Sequence, residues 1–349
     1  ALTWCAGVKW RRFMANQDDS QVGPEGEISD IMSSYLDFEK PIAEIEGKIH
    51  ELRHLSDGSG VNILEEVSRL QGRVDKVLRQ TYSRLSPWQK SLVARHQLRP
   101  HFSDYISALI EDFTPLAGDR NYSEDRAIVG GLGRFRGRSL MIIGHEKGAD
   151  TEGRLRHNFG MANPEGYRKA VRLMRMAERF SLPVVTLVDT PGAYPGIGAE
   201  ERGQAEAIAR SIETCLDLRT PIITTIIGEG GSGGAIALAV ANKILMLEHA
   251  TYSVISPEGC ASILWRSGDL AKEAAAALRL TAQDLLKLGI IDSIVAEPVG
   301  GAHRERERTI AETGDAVAEA LESLAQHDGA VLKAKRREKF LAMGKNGIG

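Results

Sequence analysis

Two glycine-rich turns hold the residues of this chain whose types and spacing suit chemistry. One is Gly228-Glu229-Gly230-Gly231-Ser232-Gly233-Gly234, which follows the β-branched run at 222–227 and leads into the small residues Ala235, Ala237 and Ala239. It reads as a buried strand, a tight turn and a helix. The start of such a helix leaves several N–H groups without partners. These can hold a standing anion, or a charge that exists only in a transition state. A nucleotide phosphate loop is excluded, because Ala235 and Ile236 follow Gly234 where a Lys and a Ser or Thr are required. Three readings remain open. Gly230-Gly231-Ser232-Gly233-Gly234 matches the G-x-S-x-G nucleophile elbow, with Asp269, Asp284, Asp292, His249 and His303 available as partners for Ser232. Alternatively the glycine amides form an oxyanion hole, or the segment is a plain strand–helix connection that binds nothing.

The second turn, Asp189-Thr190-Pro191-Gly192-Ala193-Tyr194-Pro195-Gly196, closes another apolar strand. Asp189-Thr190-Pro191-Gly192 mimics the D-x-x-G motif of GTPases, but the phosphate-loop lysine is missing. Asn242-Lys243-Ile244-Leu245 lacks the closing acid of a guanine-reading motif as well. What remains is a rigid loop over 190–198, in which the prolines fix φ and Tyr194 offers a flat wall to a planar ligand. Cys260 has no cationic neighbour in sequence to form a thiolate and is expected to be a small buried residue. The nine histidines show no metal-ligand spacing, so no metal is expected in this chain.

The elements that must position these turns follow from periodicity. The two turns echo each other: each follows Pro, β-branched residues and Thr, and each leads to a helix. Two such units in succession put both turns at the same end of neighbouring parallel strands, where α/β sheets bind ligands. Apolar runs at 127–131 and 139–144 predict a β-hairpin. Residues 164–180 predict a helix with a seam of Tyr167, Val171, Met174, Ala177 and Phe180. Its other face carries Arg168, Arg172, Arg175 and Arg179, expected to be solvated, with phosphate binding as the lesser reading. Upstream, Ile42, Ile45, Ile49 and Leu52, then Leu64, Val67, Leu70, Val74 and Val77, predict two helices joined by the loop 54–61 into an antiparallel hairpin. A basic helix over 331–340 is expected to face solvent or a partner. Residues 1–34 are polar and aperiodic and read as a disordered extension, with Met32 just before the periodic pattern.

Composition sets bounds on function. A net charge of −3 over 349 residues gives no field favouring nucleic acid or an acidic membrane. Three scattered cysteines exclude a disulfide framework and point to a reducing cytosol. No apolar run approaches the length of a membrane span. A cytoplasmic location is expected in preference to a plastid stroma, since no Ser/Arg-rich transit peptide is apparent.

With Ile255-Ser256-Pro257-Glu258-Gly259-Cys260-Ala261-Ser262-Ile263-Leu264-Trp265 added to the two turns, the chain closely resembles the α subunit of the bacterial and plastid acetyl-CoA carboxylase carboxyltransferase. The resemblance extends from Leu36-Asp37-Phe38-Glu39-Lys40-Pro41 through Asn158-Phe159-Gly160-Met161 to Gly300-Gly301-Ala302-His303-Arg304. It implies an α/β, crotonase-like spiral of ββα units over 116–325, a helical N-terminal region over 35–115 and a basic helix and tail over 326–349. It implies transfer of the carboxyl group from carboxybiotin to acetyl-CoA, giving malonyl-CoA, the first committed step of fatty acid biosynthesis. It further implies an α₂β₂ assembly with a β subunit that carries the zinc, serving a separate biotin carboxyl carrier protein and biotin carboxylase. No biotinylation sequence occurs here, Ala342-Met343-Gly344-Lys345 being only an echo of one, and no ATP-binding module is evident. The positions matching the family's oxyanion hole are Gly230 and Gly231. Gly192, Ala193, Tyr194, Pro195, Gly196, Gly228, Ser232, Gly233 and Gly234 would shape the biotin-facing pocket, with Ser256–Gly259 expected near it.

Overall fold

The structure, a computed structural model, describes residues 35–54 and 60–345. The extension read over 1–34, most of the loop joining the first two helices and the last four residues lie outside the described residues. The chain forms two compact units, one ending at Val74 and the other beginning at Asp75.

Helices α1 (Lys40–His54) and α2 (Gly60–Tyr82) form where the apolar spacing places them. Ile42, Ile45 and Ile49 of α1 are buried, as the three-four spacing requires. On α2 the buried stripe is Leu70, Val74, Leu78 and Tyr82, whereas Leu64, assigned to the seam from spacing, is exposed. Next come α3 (Pro87–Ala94) and α4 (Phe102–Leu109). Ser86 caps α3 by accepting from Gln89 N, with Pro87 at the first helical position.

Strands β1 (Glu111–Pro115), β2 (Ile128–Phe135) and β3 (Arg138–His145) form an antiparallel meander. The predicted β2–β3 hairpin is present and longer than the apolar runs alone implied. Its turn is Arg136-Gly137, both at positive φ (49° and 78°), as a type I′ turn needs. After β3 the chain runs through α5 (Thr151–Arg156) and α6 (Pro164–Arg179), and the sheet becomes parallel: β4 (Val184–Thr190), β5 (Ile222–Gly231), β6 (Lys243–Leu247) and β8 (Ser293–Val295). The order is β1-β2-β3-β4-β5-β6-β8, and β7 (Thr251–Ser253) pairs with the far end of β5. Helices α7 (Ile197–Glu201) and α8 (Gln204–Asp217) connect β4 to β5, and α9 (Ser232–Ala239) follows β5 directly. Helices α10 (Pro257–Trp265), α11 (Ala271–Leu278) and α12 (Ala282–Lys287) precede β8; α13 (Arg306–Leu324) and α14 (Gly329–Ala342) end the fold. β4 is buried at every residue, which is why its sequence up to the paired Asp189 is continuously apolar or Thr instead of alternating.

Two helix faces differ from the sequence reading. The buried face of α6 includes Tyr167, Ala170, Leu173, Met174 and Ala177, while Phe180 caps the helix 65% exposed. Of the α6 arginines, Arg175 and Arg179 are exposed as expected, whereas Arg168 and Arg172 are half-buried. Arg168 pairs with Asp119 and Glu165, Arg172 donates to the carbonyls of Leu116, Ala117 and Gly118, and Arg175 reaches Asp217. They fasten the 116–119 segment and α8 to the helix. The basic α14 also turns inward. Arg336 is fully buried and donates to the carbonyls of Cys215, Leu218 and Thr220 and to Asn242 Oδ1, and Lys333 and Lys339 pair with Asp217 and Asp292. Cationic side chains there satisfy carbonyls at the C-terminal end of α8, which periodicity and charge counting do not reveal.

Candidate functional site

The site is built where β4 and β5 end side by side. The two strands are parallel, Val184 pairing with Ile222 and Thr190 with Gly230, so their closing turns share one edge of the sheet. Gly230 sits between Thr190 and Tyr252 of β7, and Gly231 is the last strand residue. Ser232 then reverses the chain at φ 50°, left-handed backbone that a residue with a side chain adopts only under constraint. The carbonyls of Ala237 and Leu238, at the other end of α9, accept from the hydroxyls of Ser211, Thr186 and Thr224. The helix is therefore anchored at its C-terminal end by side chains from β4, β5 and α8.

Contact between the turns demands glycine at two positions. A Cβ on Gly231 would lie 2.1 Å from Pro191 O, and one on Gly234 would lie 2.7 Å from the carbonyl carbon of Gly192. The structure thus brings Gly192 and Ala193 against Gly231, Ser232 and Gly234. Gly192 has φ 149°, and Thr190 Oγ1 both accepts from its N–H and donates to its carbonyl. Gly228 is equally confined, since a Cβ there would meet Asp189 Oδ1 at 2.6 Å. Gly233 faces Ile208. Tyr194 folds its ring over Gly196 instead of standing as a free wall, with its N–H bonded to Ala162 O and its carbonyl to Gln204. Pro195 is exposed, and the loop ends sooner than predicted because Ile197 already opens α7.

Beneath the turns lies a charge network absent from the sequence reading. Lys147 Nζ is 2.7 Å from Asp189 Oδ1 and 3.3 Å from Glu229 Oε2. Arg95 Nε is 2.7 Å from the other Glu229 oxygen, and its guanidinium also pairs with Glu258, which places Ser256-Pro257-Glu258-Gly259 beside the site. Burial alone would raise the Asp189 carboxyl, but Lys147 outweighs it and holds the group below the usual carboxylate range. Burial would likewise lower Lys147, and Asp189 and Glu229 together hold it raised. Deeper still, Arg99 and Glu297 form a bidentate pair at 2.8 Å, and Arg99 donates to Ile227 O of β5. Partners separated by tens of residues, and by 134 to 198 for the carboxylates that Arg95 and Arg99 hold, leave no local signal.

Ser232 is exposed, and among the described residues its hydroxyl makes no hydrogen bond to a histidine. His249 packs edge-on against Tyr82, and His303 stacks on His96 at 3.9 Å. Asp284 accepts from Thr281, and Asp292 from Ile244 N and Lys339. Among the described residues no base addresses Ser232, so the nucleophile elbow lacks its second member there. Cys260 is buried as expected. Among the described residues no group of three or more His, Cys, Asp and Glu is arranged to hold a metal ion. Nor is any described helix long and apolar enough to cross a membrane. A mostly apolar cavity of about 420 Å³ borders Ser232 and Gly233, with Ile236, Tyr252, Val254 and Phe340 in its wall.

This architecture is that of the crotonase-like carboxyltransferases. Transcarboxylase 12S superposes with a TM-score of 0.54 at 20% identity, over 65% of this chain and 42% of that one. A Pseudomonas malonate decarboxylase hetero-dimer gives 0.50 at 15% identity, over 62% and 89%. Within that class the chain belongs to the acetyl co-enzyme A carboxylase carboxyltransferase-like family, which matches residues 35–344. It is 70% identical over 313 residues to the acetyl-coenzyme A carboxylase carboxyl transferase subunit alpha of Paramagnetospirillum magneticum, covering 90% of this chain and 99% of that protein. The corresponding protein of Rhodospirillum centenum is 67% identical over 315 residues, with 90% and 99% covered.

Proposed function

We propose that this chain is the α half of a carboxyltransferase active site, passing the carboxyl group of carboxybiotin to acetyl-CoA to make malonyl-CoA for fatty acid synthesis. The observation that carries the reading is the apposition of the 190–193 and 231–234 segments over a helix start, in a chain of this family. Transfer requires release of CO₂ from carboxybiotin, which places negative charge on the ureido oxygen. The freed ureido nitrogen takes the acetyl proton, and the resulting enolate carbon bonds to CO₂. In this account Gly230 and Gly231 present their N–H groups to the ureido oxygen as its charge grows, a role whose loss typically costs about 3–4 kcal/mol per donor. Gly192, Ala193, Gly233 and Gly234 shape the pocket beside them, with Gly228 and Ser232 holding the turn and Tyr194, Pro195 and Gly196 bracing the outer end of the facing loop. No side-chain base is called for, consistent with Ser232 standing unaddressed.

The β subunit would supply the zinc and the enolate's own anion hole in an α₂β₂ assembly, with carrier protein and biotin carboxylase as separate cytoplasmic chains. Val254, exposed and lining the apolar cavity beside Ser232 and Gly233, supports a partner surface at the site, since exposed apolar ground of this kind marks interaction faces. Co-purification tests the reading. A zinc-containing partner subunit should accompany the tagged chain in equal amount; a chain that purifies alone, and stays alone when the β subunit is added, contradicts it.

A further inference from the structure

We propose that Lys147 is a positioning residue for carboxyl transfer, clamping the ends of β4 and β5 so that the two glycine turns keep the spacing the chemistry needs. The inference rests on the reading of those turns as the anion site. Lys147 lies just beyond β3 and enters neither turn, yet it bridges one carboxylate from each: Asp189 at 2.7 Å and Glu229 at 3.3 Å. Asp189 Oδ1 in turn accepts from Glu229 N at 2.8 Å, and a Cβ on Gly228 would sit 2.6 Å from that oxygen. One carboxylate oxygen thus touches the lysine, a backbone amide of the second turn and the space a side chain at 228 would need. Glu229 is held from its other side by Arg95 at 2.7 Å. The register of β4 and β5 shifts between Val188 and Thr190, so regular pairing alone does not fix the strand ends.

Burying a lysine and two carboxylates costs several kcal/mol in desolvation and adds little to stability over an apolar cluster of the same volume. Fixing geometry is the return such a cluster gives, since a displacement of about 1 Å at a reacting centre can cost about 10²-fold in rate. The network is also reachable from outside. Lys147, Asp189 and Glu229 line an open cavity of about 440 Å³ together with Arg95, His101 and Arg154.

Chemical rescue in the complex with the cognate β subunit tests the proposal. Lys147→Ala should lower kcat about 10²-fold while KM for acetyl-CoA stays within about threefold. Propylammonium, entering the cavity, should restore at least about a tenth of the lost rate. Lys147→Met, which keeps most of the aliphatic bulk but not the charge, should be equally slow at temperatures where it remains folded, although leaving buried Asp189 without its cation lowers Tm. A Lys147→Met enzyme that keeps its kcat overturns the proposal. So does loss of activity that tracks unfolding and is not rescued by the amine, which would make Lys147 merely structural. Gly231→Ala assayed alongside separates the two ideas: if it is slow while Lys147→Met is fast, only the clamp fails. If Gly231→Ala is itself fast, the reading of the turn fails.

Discussion

Gly231→Ala is the smallest change that challenges the site. The added methyl would stand 2.1 Å from Pro191 O, 2.3 Å from Pro191 C and 2.8 Å from Thr190 O, all backbone atoms. No rotamer relieves such a contact, so the 190–193 loop must retreat by about 1 Å before the overlap clears. A shift of that size between groups that must act together is worth about 10²-fold in rate, or about 3 kcal/mol of transition-state stabilisation. The loss should appear in kcat, because the turn acts on a charge that the bound ground state does not yet carry. The assay is malonyl-CoA formation by the chain paired with its β subunit, with acetyl-CoA and carboxybiotin each varied. Gly72→Ala, in α2 with nothing within 4 Å of the new methyl, serves as the control for handling and assembly. A Gly231→Ala enzyme that keeps more than about a third of its kcat would refute the reasoning.

Ser232→Ala should keep kcat within about threefold, and fluorophosphonate should not label the native chain, since among the described residues no base addresses that hydroxyl; labelling at Ser232 would restore the hydrolase reading. Glu297 should govern part of the acid stability. Burial by itself would raise its carboxyl, but Arg99 outweighs burial and holds it at about 2, against an ordinary value of 4.5. A depressed acid contributes its stability above its unfolded pKa and loses it as pH falls through the folded one. The contribution of about 3 kcal/mol should therefore be complete above about pH 4.5 and fade toward pH 2. In urea melts the gap between the native protein and Glu297→Gln should narrow across that window, and a pH-independent gap would contradict the assignment. Arg336→Leu strands the carbonyls of Cys215, Leu218 and Thr220. It should cost about 3 kcal/mol or more in the same melts, and a change under about 1 kcal/mol would show those carbonyls to be satisfied otherwise.

Much of the site was legible because its signals are local. A strand of β-branched residues that ends in glycine specifies both turn and direction, and the echo at 189–196 put the partner turn on the neighbouring parallel strand, where β4 and β5 place it. The helical seams were legible in period but less so in phase. Leu64 and Phe180 fit the spacing and remain exposed, because periodicity identifies an apolar stripe without saying where the helix leaves its neighbours. Charge was the least legible property. Arg168, Arg172, Lys333 and Arg336 resembled surface residues, yet they satisfy buried or half-buried carbonyls and carboxylates fixed by segments far away in sequence. Lys147, Arg95 and Arg99 carry no local signal for the same reason. Their roles depend on partners from β4, β5 and α10 that only the folded chain brings within reach.

The most direct test of the central account is to follow the carboxyl group itself. Carboxybiotin labelled in its carboxyl carbon is incubated with acetyl-CoA and the chain joined to its cognate β subunit, and the CoA thioesters are separated. The account predicts label in malonyl-CoA with the native pair, and a loss of about 10²-fold with Gly231→Ala at unchanged complex formation. Label that never leaves carboxybiotin with the native pair, or that reaches malonyl-CoA equally fast with Gly231→Ala, would contradict it.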